Sequence, residues 1–303
     1  MYRSILVDVD ATANAHPALD WALMLAKAFE AKLTVCDVLS LPSEVENFLA
    51  TTYVRRMVEL RRERLARMAQ ELDIPARARL LAGRPAIELI EEVLGAGHDL
   101  VVRSHSRDLA AKRPTPFGAV AMELLRKCPC PVLLVPHGRV AKRPRILAAV
   151  NASSRDTDEQ ALNVEIVAAA MRVAEGLRAP PPELLHAWTV YGEKALRIRI
   201  PRREMARYTR QVRALARSSL DYLARPFKGR LPDANVKLRR GDAEDVIPRY
   251  AVAEGIDLVV MGTVARGGIA VLLVGNTSER VLKRLSCAVL ALKPEGFVSP
   301  VRI

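Results

Sequence analysis

Ile5-Leu6-Val7-Asp8-Val9-Asp10-Ala11-Thr12 and Ile146-Leu147-Ala148-Ala149-Val150-Asn151-Ala152-Ser153 are one pattern written twice, 141 residues apart. Each is an apolar run without helical period that ends in a polar turn. The echo continues outward from it. Leu80-Leu81-Ala82-Gly83-Arg84-Pro85 is answered by Leu238-Arg239-Arg240-Gly241-Asp242-Ala243, a shift of 158. His98-Asp99-Leu100-Val101-Val102 is answered by Ile256-Asp257-Leu258-Val259-Val260 at the same shift, and the run from Cys128 to Pro136 returns from Leu285 to Lys293 at 157. Repetition in a constant order reads as a duplicated unit. The growth from 141 to 158 gives the second copy about seventeen extra residues, expected between its second and third strands.

Within the first copy, short apolar runs over 5–9, 33–38, 78–81, 100–103 and 132–135 alternate with helical stretches. One of these is 17–29, with a stripe of Leu19, Ala22, Leu23 and Ala26. Runs apolar on both faces and separated by helices predict parallel strands covered on both sides. Crossovers are right-handed, so a doubly wound sheet is the economical topology. The expected fold is therefore α/β, two tandem Rossmann-like domains, each a five-stranded parallel sheet with helices on both faces. The first is placed at 1–138 and the second at 146–303, with the basic segment 139–145 as linker.

The chain of 303 residues is half hydrophobic and 27% charged, ordinary for a globular protein with filled cores. Asp8 and Asp10 interrupt the apolar start, so no signal peptide is expected, and no run approaches the roughly 18 apolar residues of a membrane span. Four cysteines in this length read as buried core residues in a cytoplasmic protein rather than a disulfide framework. Cys128-Pro131 holds a close cysteine pair, but no second pair has zinc-site spacing, so no metal is expected.

The formal charge of +13 is concentrated. Residues 194–230 hold twelve Lys and Arg against Glu204 and Asp221. Met205, Tyr208, Val212, Leu215 and Ser219 recur there at helical spacing, with Arg203, Arg207, Arg210 and Arg217 on another face. This predicts an amphipathic helix whose basic side is either a plain solvated face or a surface for an anionic partner. Aromatic residues are only 4% of the chain, which disfavours stacking on nucleic acid.

A last stretch bears on ligands. After the apolar run 256–260 comes Met261-Gly262-Thr263-Val264-Ala265-Arg266-Gly267-Gly268, and then Gly275-Asn276-Thr277. Glycine-rich turns after a strand either bring backbone N–H groups to a phosphate or simply make a tight turn. In order, spacing and repetition the whole chain resembles the universal stress protein family, in particular its tandem two-domain members of the E type. The resemblance implies a flavodoxin-like strand order of 3-2-1-4-5 in each copy. It implies ATP, with Mg, bound through a G-x2-G-x9-G-(S/T) signature after the fourth strand. It also implies that the two copies pair along their fifth strands as a pseudo-dimer within the chain, with a further homodimer as an alternative.

Carried over by residue, the second copy keeps Gly262 and Gly275, has Ala265 for the middle glycine, and has Asn276-Thr277 for the closing step. Arg266 offers a charge for a polyphosphate. Val150 and Asn151 stand at the end of strand 1, Ala187 at the end of strand 2, Gly241 at the strand-3 turn and Met261 at the end of strand 4. Strand order reverses between strands 1 and 4, so their carboxyl ends form the expected crevice. The first copy keeps Asp10, Gly83 and Gly118 but has Ser104 where the signature begins, so its site is expected to hold no ATP. Its Ser104-His105-Ser106 cluster reads as polar capping rather than a catalytic serine.

No motif places a general base, so the expected role is a stress-response binding protein rather than an enzyme; the resemblance leaves slow ATP hydrolysis as a minor activity. The alternative is an adaptor that binds no ATP and holds a lipid-like or apolar anionic ligand. In that reading the 194–230 segment would dock to such a ligand, a membrane or a nucleic acid.

Overall fold

The computed structural model describes residues 2–40, 52–105, 117–138, 140–263 and 275–302. The first copy supplies β1 (Ser4–Asp8), β2 (Lys32–Leu39), β3 (Ala76–Ala82), β4 (Leu100–His105) and β5 (Val132–Pro136). Its helices are α1 (Pro17–Phe29), α2 (Thr52–Gln70), α3 (Pro85–Ala96) and α4 (Gly118–Lys127). The second copy supplies β6 (Ile146–Val150), β7 (Glu183–Trp188), β8 (Val236–Arg240), β9 (Leu258–Gly262) and β10 (Ala288–Leu292). Among the described residues its helices are α5 (Thr157–Gly176), α6 (Glu193–Arg199), α7 (Arg202–Ala224), α8 (Ala243–Ala253) and α9 (Asn276–Leu282).

All ten strands form one sheet in the order β3-β2-β1-β4-β5-β10-β9-β6-β7-β8. Each half is parallel with the expected 3-2-1-4-5 order, and the halves meet antiparallel through Val132–Leu134 against Val289–Ala291. Central strands such as β6 and β10 are buried along their whole length, which is why they read as unbroken apolar runs. The outer strands β3 (ARARLLA) and β8 (VKLRR) carry Arg77, Arg79, Lys237 and Arg239, charges that blunt an open edge.

Two apolar layers cover the sheet. One, on the side of α1 and α5, runs unbroken through both copies, from Leu19 and Phe29 to Ile166, Leu220 and Leu223. The other gathers Leu89, Ile90, Leu124 and Leu125 with Ile247, Tyr250 and Val281 under α3, α4, α8 and α9. Across the junction, Gly176 lies so close to the Phe29 ring that a Cβ would stand 2.7 Å from it. Lys293 also crosses over. Its Nζ donates to the Cys128 carbonyl at the end of α4, and burial draws its pKa down to about 8. The copies are therefore packed as one body.

The register corrects one expectation about the extra residues. Leu6 pairs with Thr34 while its counterpart Leu147 pairs with Glu183, so the offset has already grown from 141 to 149 by strand 2. Val35 pairs with Ala78 and Leu184 with Val236, an offset of 158 at strand 3. The additions are thus nearly equal: one lengthens the first helix of the copy, 20 residues in α5 against 13 in α1, and the other lies in the α6–α7 region. The first was hidden because strand 2 of the two copies shares little residue identity.

Candidate functional site

Strand order reverses in the second copy between β6 and β9, whose register sets Ala149 beside Met261. Val150 and Gly262 are therefore level at the carboxyl end of the sheet. Gly262 has no room for a side chain, since a Cβ would meet Leu162 Cδ2 at 2.7 Å, and its carbonyl accepts from Ser278 Oγ at 3.0 Å. That glycine lets α5 lie close on the strand. Met261 is core. Gly275 caps α9 with an ordinary φ of −56°, and its N–H donates to the Thr263 carbonyl at 2.9 Å. Asn276 and Thr277 are exposed in the first turn of α9. Ala265 and Arg266 lie outside the described residues.

Next to this crevice, between the start of α5, the ends of β6 and β7, and α7, is a cleft of about 1250 Å3. Asn151 and Ala187, both expected at a base or ribose, line it. Asn151 Nδ2 donates to Glu159 Oε1 at 2.8 Å, and Ser154 Oγ donates to the other oxygen at 2.5 Å. Asn151 lines the cleft, and its Oδ1 keeps acceptor capacity. Gly241 stands behind Ala187 in the strand-3 turn, with φ 134° and its N–H donating to the Trp188 carbonyl at 2.9 Å. A side chain there would strain the backbone and meet Val246.

The cleft also holds residues that sequence reasoning missed: His186, Ser153, Trp188, Arg155 and Tyr222. His186 is buried, its Nδ1 3.2 Å from the Val150 carbonyl and its Nε2 2.9 Å from Ser153 Oγ. A carbonyl only accepts, so Nδ1 carries the proton and Nε2 is left to accept from the serine hydroxyl. Burial holds the pKa of His186 below the usual histidine value, which keeps the ring neutral. The sequence signal was the polar turn Asn151-Ala152-Ser153-Ser154 and a histidine inside an otherwise apolar strand.

The first copy differs at each equivalent point. Asp10 turns back on its own loop, accepting from Thr12 N and Oγ1 at 2.8 and 2.6 Å. Gly83 makes the same strand-3 turn as Gly241, donating to the Leu39 carbonyl at 3.0 Å. Ser104 accepts from Ala18 N at 3.1 Å and so caps α1, and Gly118 opens α4 at φ 72°. Asp8 and Arg103 form an ion pair where the second copy has Ala149 and Met261. Asp37 accepts from Arg61 at 2.8 Å, across the space between β2 and α2. Ser106 lies outside the described residues.

The basic segment forms α6 and α7 but with a shifted apolar stripe. Met205, Ala216, Leu220 and Leu223 are the buried side, while Tyr208 is partly exposed and Leu215 points outward at 70% exposure. Packing on β7 and β8 selects the stripe, while Val212, Leu215, Ser219 and Tyr222 flank it on the side of the cleft. Arg203, Arg207 and Arg210 are exposed, whereas Arg217 is paired with Asp221 at 2.8 Å. Cys128 and Cys130 are buried with their sulfurs 3.6 Å apart, and no cluster of three metal-ligating side chains occurs among the described residues. No helix of the described residues is long and apolar enough to cross a membrane.

Comparisons with known proteins agree with this geometry. The sequence model of the universal stress protein family matches residues 1–136 and 143–293. Universal stress protein E of Escherichia coli K12 is 29% identical over the whole of this chain and 98% of its own length. A protein of unknown function from Pseudomonas aeruginosa PAO1 shares the fold with a TM-score of 0.75 at 24% identity, over 98% of this chain and 94% of that one. A universal stress protein from Archaeoglobus fulgidus superposes with a TM-score of 0.66 at 17% identity, over 96% of each chain.

Proposed function

The chain belongs to the universal stress protein family, and from that membership we propose that its second copy binds an adenine nucleotide as a cytoplasmic stress-response protein, without turning it over as its main role. One observation carries the reading. The cleft at the carboxyl ends of β6 and β7 brings Asn151 and Ala187 together beside the point where strand order reverses. Its volume accommodates a nucleoside with its phosphates. The nucleoside end suits the residues present: Asn151 Oδ1 accepts from a base or ribose, and the Trp188 side chain borders the same space. At the phosphate end, the Gly275 N–H is already used by Thr263, so Asn276 and Thr277 would supply the donors. Mg would enter with the nucleotide.

The test is to denature freshly purified protein and identify released small molecules by mass spectrometry. About one adenine nucleotide per chain is expected, with affinity lost in Gly275→Trp and Ala187→Trp. Release of nothing, followed by no heat on titration with Mg-ATP, would overturn the reading.

A second reading rests on a separate observation. Ile198 and Tyr191 stand out at 88% and 93% exposure beside the arginines of α6 and α7. Exposed apolar side chains within a basic patch suit an anionic, lipid-like partner or membrane surface. Sedimentation with vesicles containing phosphatidylglycerol should then fall when Arg203, Arg207 and Arg210 are changed to Glu, while nucleotide affinity stays unchanged.

A further inference from the structure

We propose that Ser153 and His186 form a nucleophile–base pair that accepts an acyl group from a carboxylic ester bound in the second-copy cleft. The pair has the parts such chemistry needs: a hydroxyl within hydrogen-bond reach of a base, and a third group that orients the base. Ser153 Oγ lies 2.9 Å from His186 Nε2, and the Val150 carbonyl, 3.2 Å from Nδ1, holds the opposite tautomer out. His186 is buried while Ser153 is an exposed residue on the wall of the cleft. A plain structural serine–histidine bond does not require that division, which leaves the serine on the cleft wall and its base behind it.

The surroundings are consistent with this role. The Ser153 turn, closed by Ser154 N donating to the Asn151 carbonyl at 3.1 Å, sits between the end of β6 and the start of the 20-residue α5. Arg155 lines the cleft two residues on, and among the described residues no carboxylate pairs with it. It offers a positive charge for the oxyanion that develops at the attacked carbonyl. The other charged or titratable groups near the ring are Glu159 on α5, held by Asn151 and Ser154, together with Tyr222 on α7 and Arg225 just beyond its end. On the β8 side His186 pairs with Leu238, flanked by Lys237 and Arg239.

The step balances without any further reagent. Ser153 Oγ bonds to the ester carbonyl carbon as its proton passes to His186 Nε2. The bond from that carbon to the leaving oxygen then breaks, and the imidazolium returns the proton to the departing alcohol. The product is an O-acyl serine and a free alcohol. Nothing is oxidised or reduced. The inference is independent of the nucleotide reading, although a nucleotide in the same cleft would slow the reaction by occupying it.

The test uses the full chain with a fluorophosphonate probe, which traps activated serines by displacement of fluoride, and with p-nitrophenyl butyrate. The expected result is one label per chain, found on the peptide carrying Ser153 and absent from Ser153→Ala. The labelling rate should rise with pH through a titration below the ordinary histidine value and level off above it. Changing His186→Gln should lower the rate roughly a hundredfold or more, the usual contribution of a general base. Should that variant fail to fold, as judged by circular dichroism, the pH profile of the unmodified protein decides. Labelling at Ser153 no faster than at other serines, a rate that ignores His186→Gln in a folded variant, or a profile without the titration would each overturn the proposal.

Discussion

At the same place in the sheet the first copy carries Asp37 and the second His186, and the space in front of them differs accordingly. In the first copy Arg61 reaches from α2 to Asp37, and Asp8 pairs with Arg103 one strand further in. In the second copy the inner pair has become Ala149 and Met261, the acid has become a neutral histidine, and a cleft of about 1250 Å3 stands before it. The lesson is that a duplicated fold keeps its strands and diverges in what closes their carboxyl ends. In the first copy the Arg61–Asp37 pair fills the place that the cleft takes in the second. The Asp8–Arg103 pair lies on the opposite face of the sheet, the face of Leu6 and Val101.

The inner ion pair gives the strongest way to break this comparison. Changing Arg103→Ala strands Asp8, which is nearly fully buried, and should destabilise the protein by ~3–5 kcal/mol. Copying the second half outright, with Asp8→Ala and Arg103→Met together, should instead be neutral or stabilising, because a buried ion pair is often replaced by apolar packing without loss. Urea unfolding of the single and double variants measures both. If the double variant is as unstable as the single one, the ion pair holds the first copy together in a way the second copy does not reproduce.

A smaller effect is expected at Gly262, whose counterpart in the first copy is Ser104. Ser104 carries a side chain and uses it to cap α1, whereas a Cβ at Gly262 would press on Leu162. Gly262→Val should cost about 1–3 kcal/mol by overpacking, and Leu162→Ala made in addition should return part of it. Thermal melting of the three proteins reads the coupling. Equal loss with and without Leu162 would mean that the glycine is kept for something other than helix packing.

The pH response of His186 is the finest discriminator. Its folded pKa lies below that of an unfolded histidine, about 6.5, so the unfolded chain takes up a proton first as the solution is acidified. The unfolded state then binds more protons, and stability falls as pH drops from about 6.5 toward the lowered value. Above 6.5 both states are neutral at this group and it adds no slope. Denaturant midpoints for wild type and His186→Gln across pH 5 to 7 should show a shallower decline in the variant. Parallel curves would place the acid sensitivity elsewhere, for example at His98, which burial shifts the same way.

Much of the fold was open to reading because parallel strands buried on both faces leave an unmistakable trace. The run 17–29 begins at a proline, so its start was visible in the residues themselves. Its end, where Glu30 turns left-handed, was set only by the periodicity of its apolar stripe. Strand 2 of the second copy was harder, since Leu185-His186-Ala187 stand where the first has Cys36-Asp37-Val38, and the helix before it had lengthened unnoticed. At the candidate site, Asn151 and Ala187 followed from their strand ends together with the family resemblance. His186 and Ser153 did not, because they are 33 residues apart and only the β6–β7 register sets them face to face.

The order of apolar runs, the polar turns after them and the glycines at positive φ, Gly83 and Gly241, follow from local chemistry, and the sequence by itself determined them. From these came two α/β copies and the family they resemble. What only the tertiary structure decided was which side chains meet across the carboxyl ends: Arg61 with Asp37, Arg103 with Asp8, and Ser153 with His186. Those pairings depend on register and on how closely each helix settles on the sheet. A one-dimensional pattern carries periodicity but not the distance between two elements, and it is that distance that separates an ion pair from an open cleft.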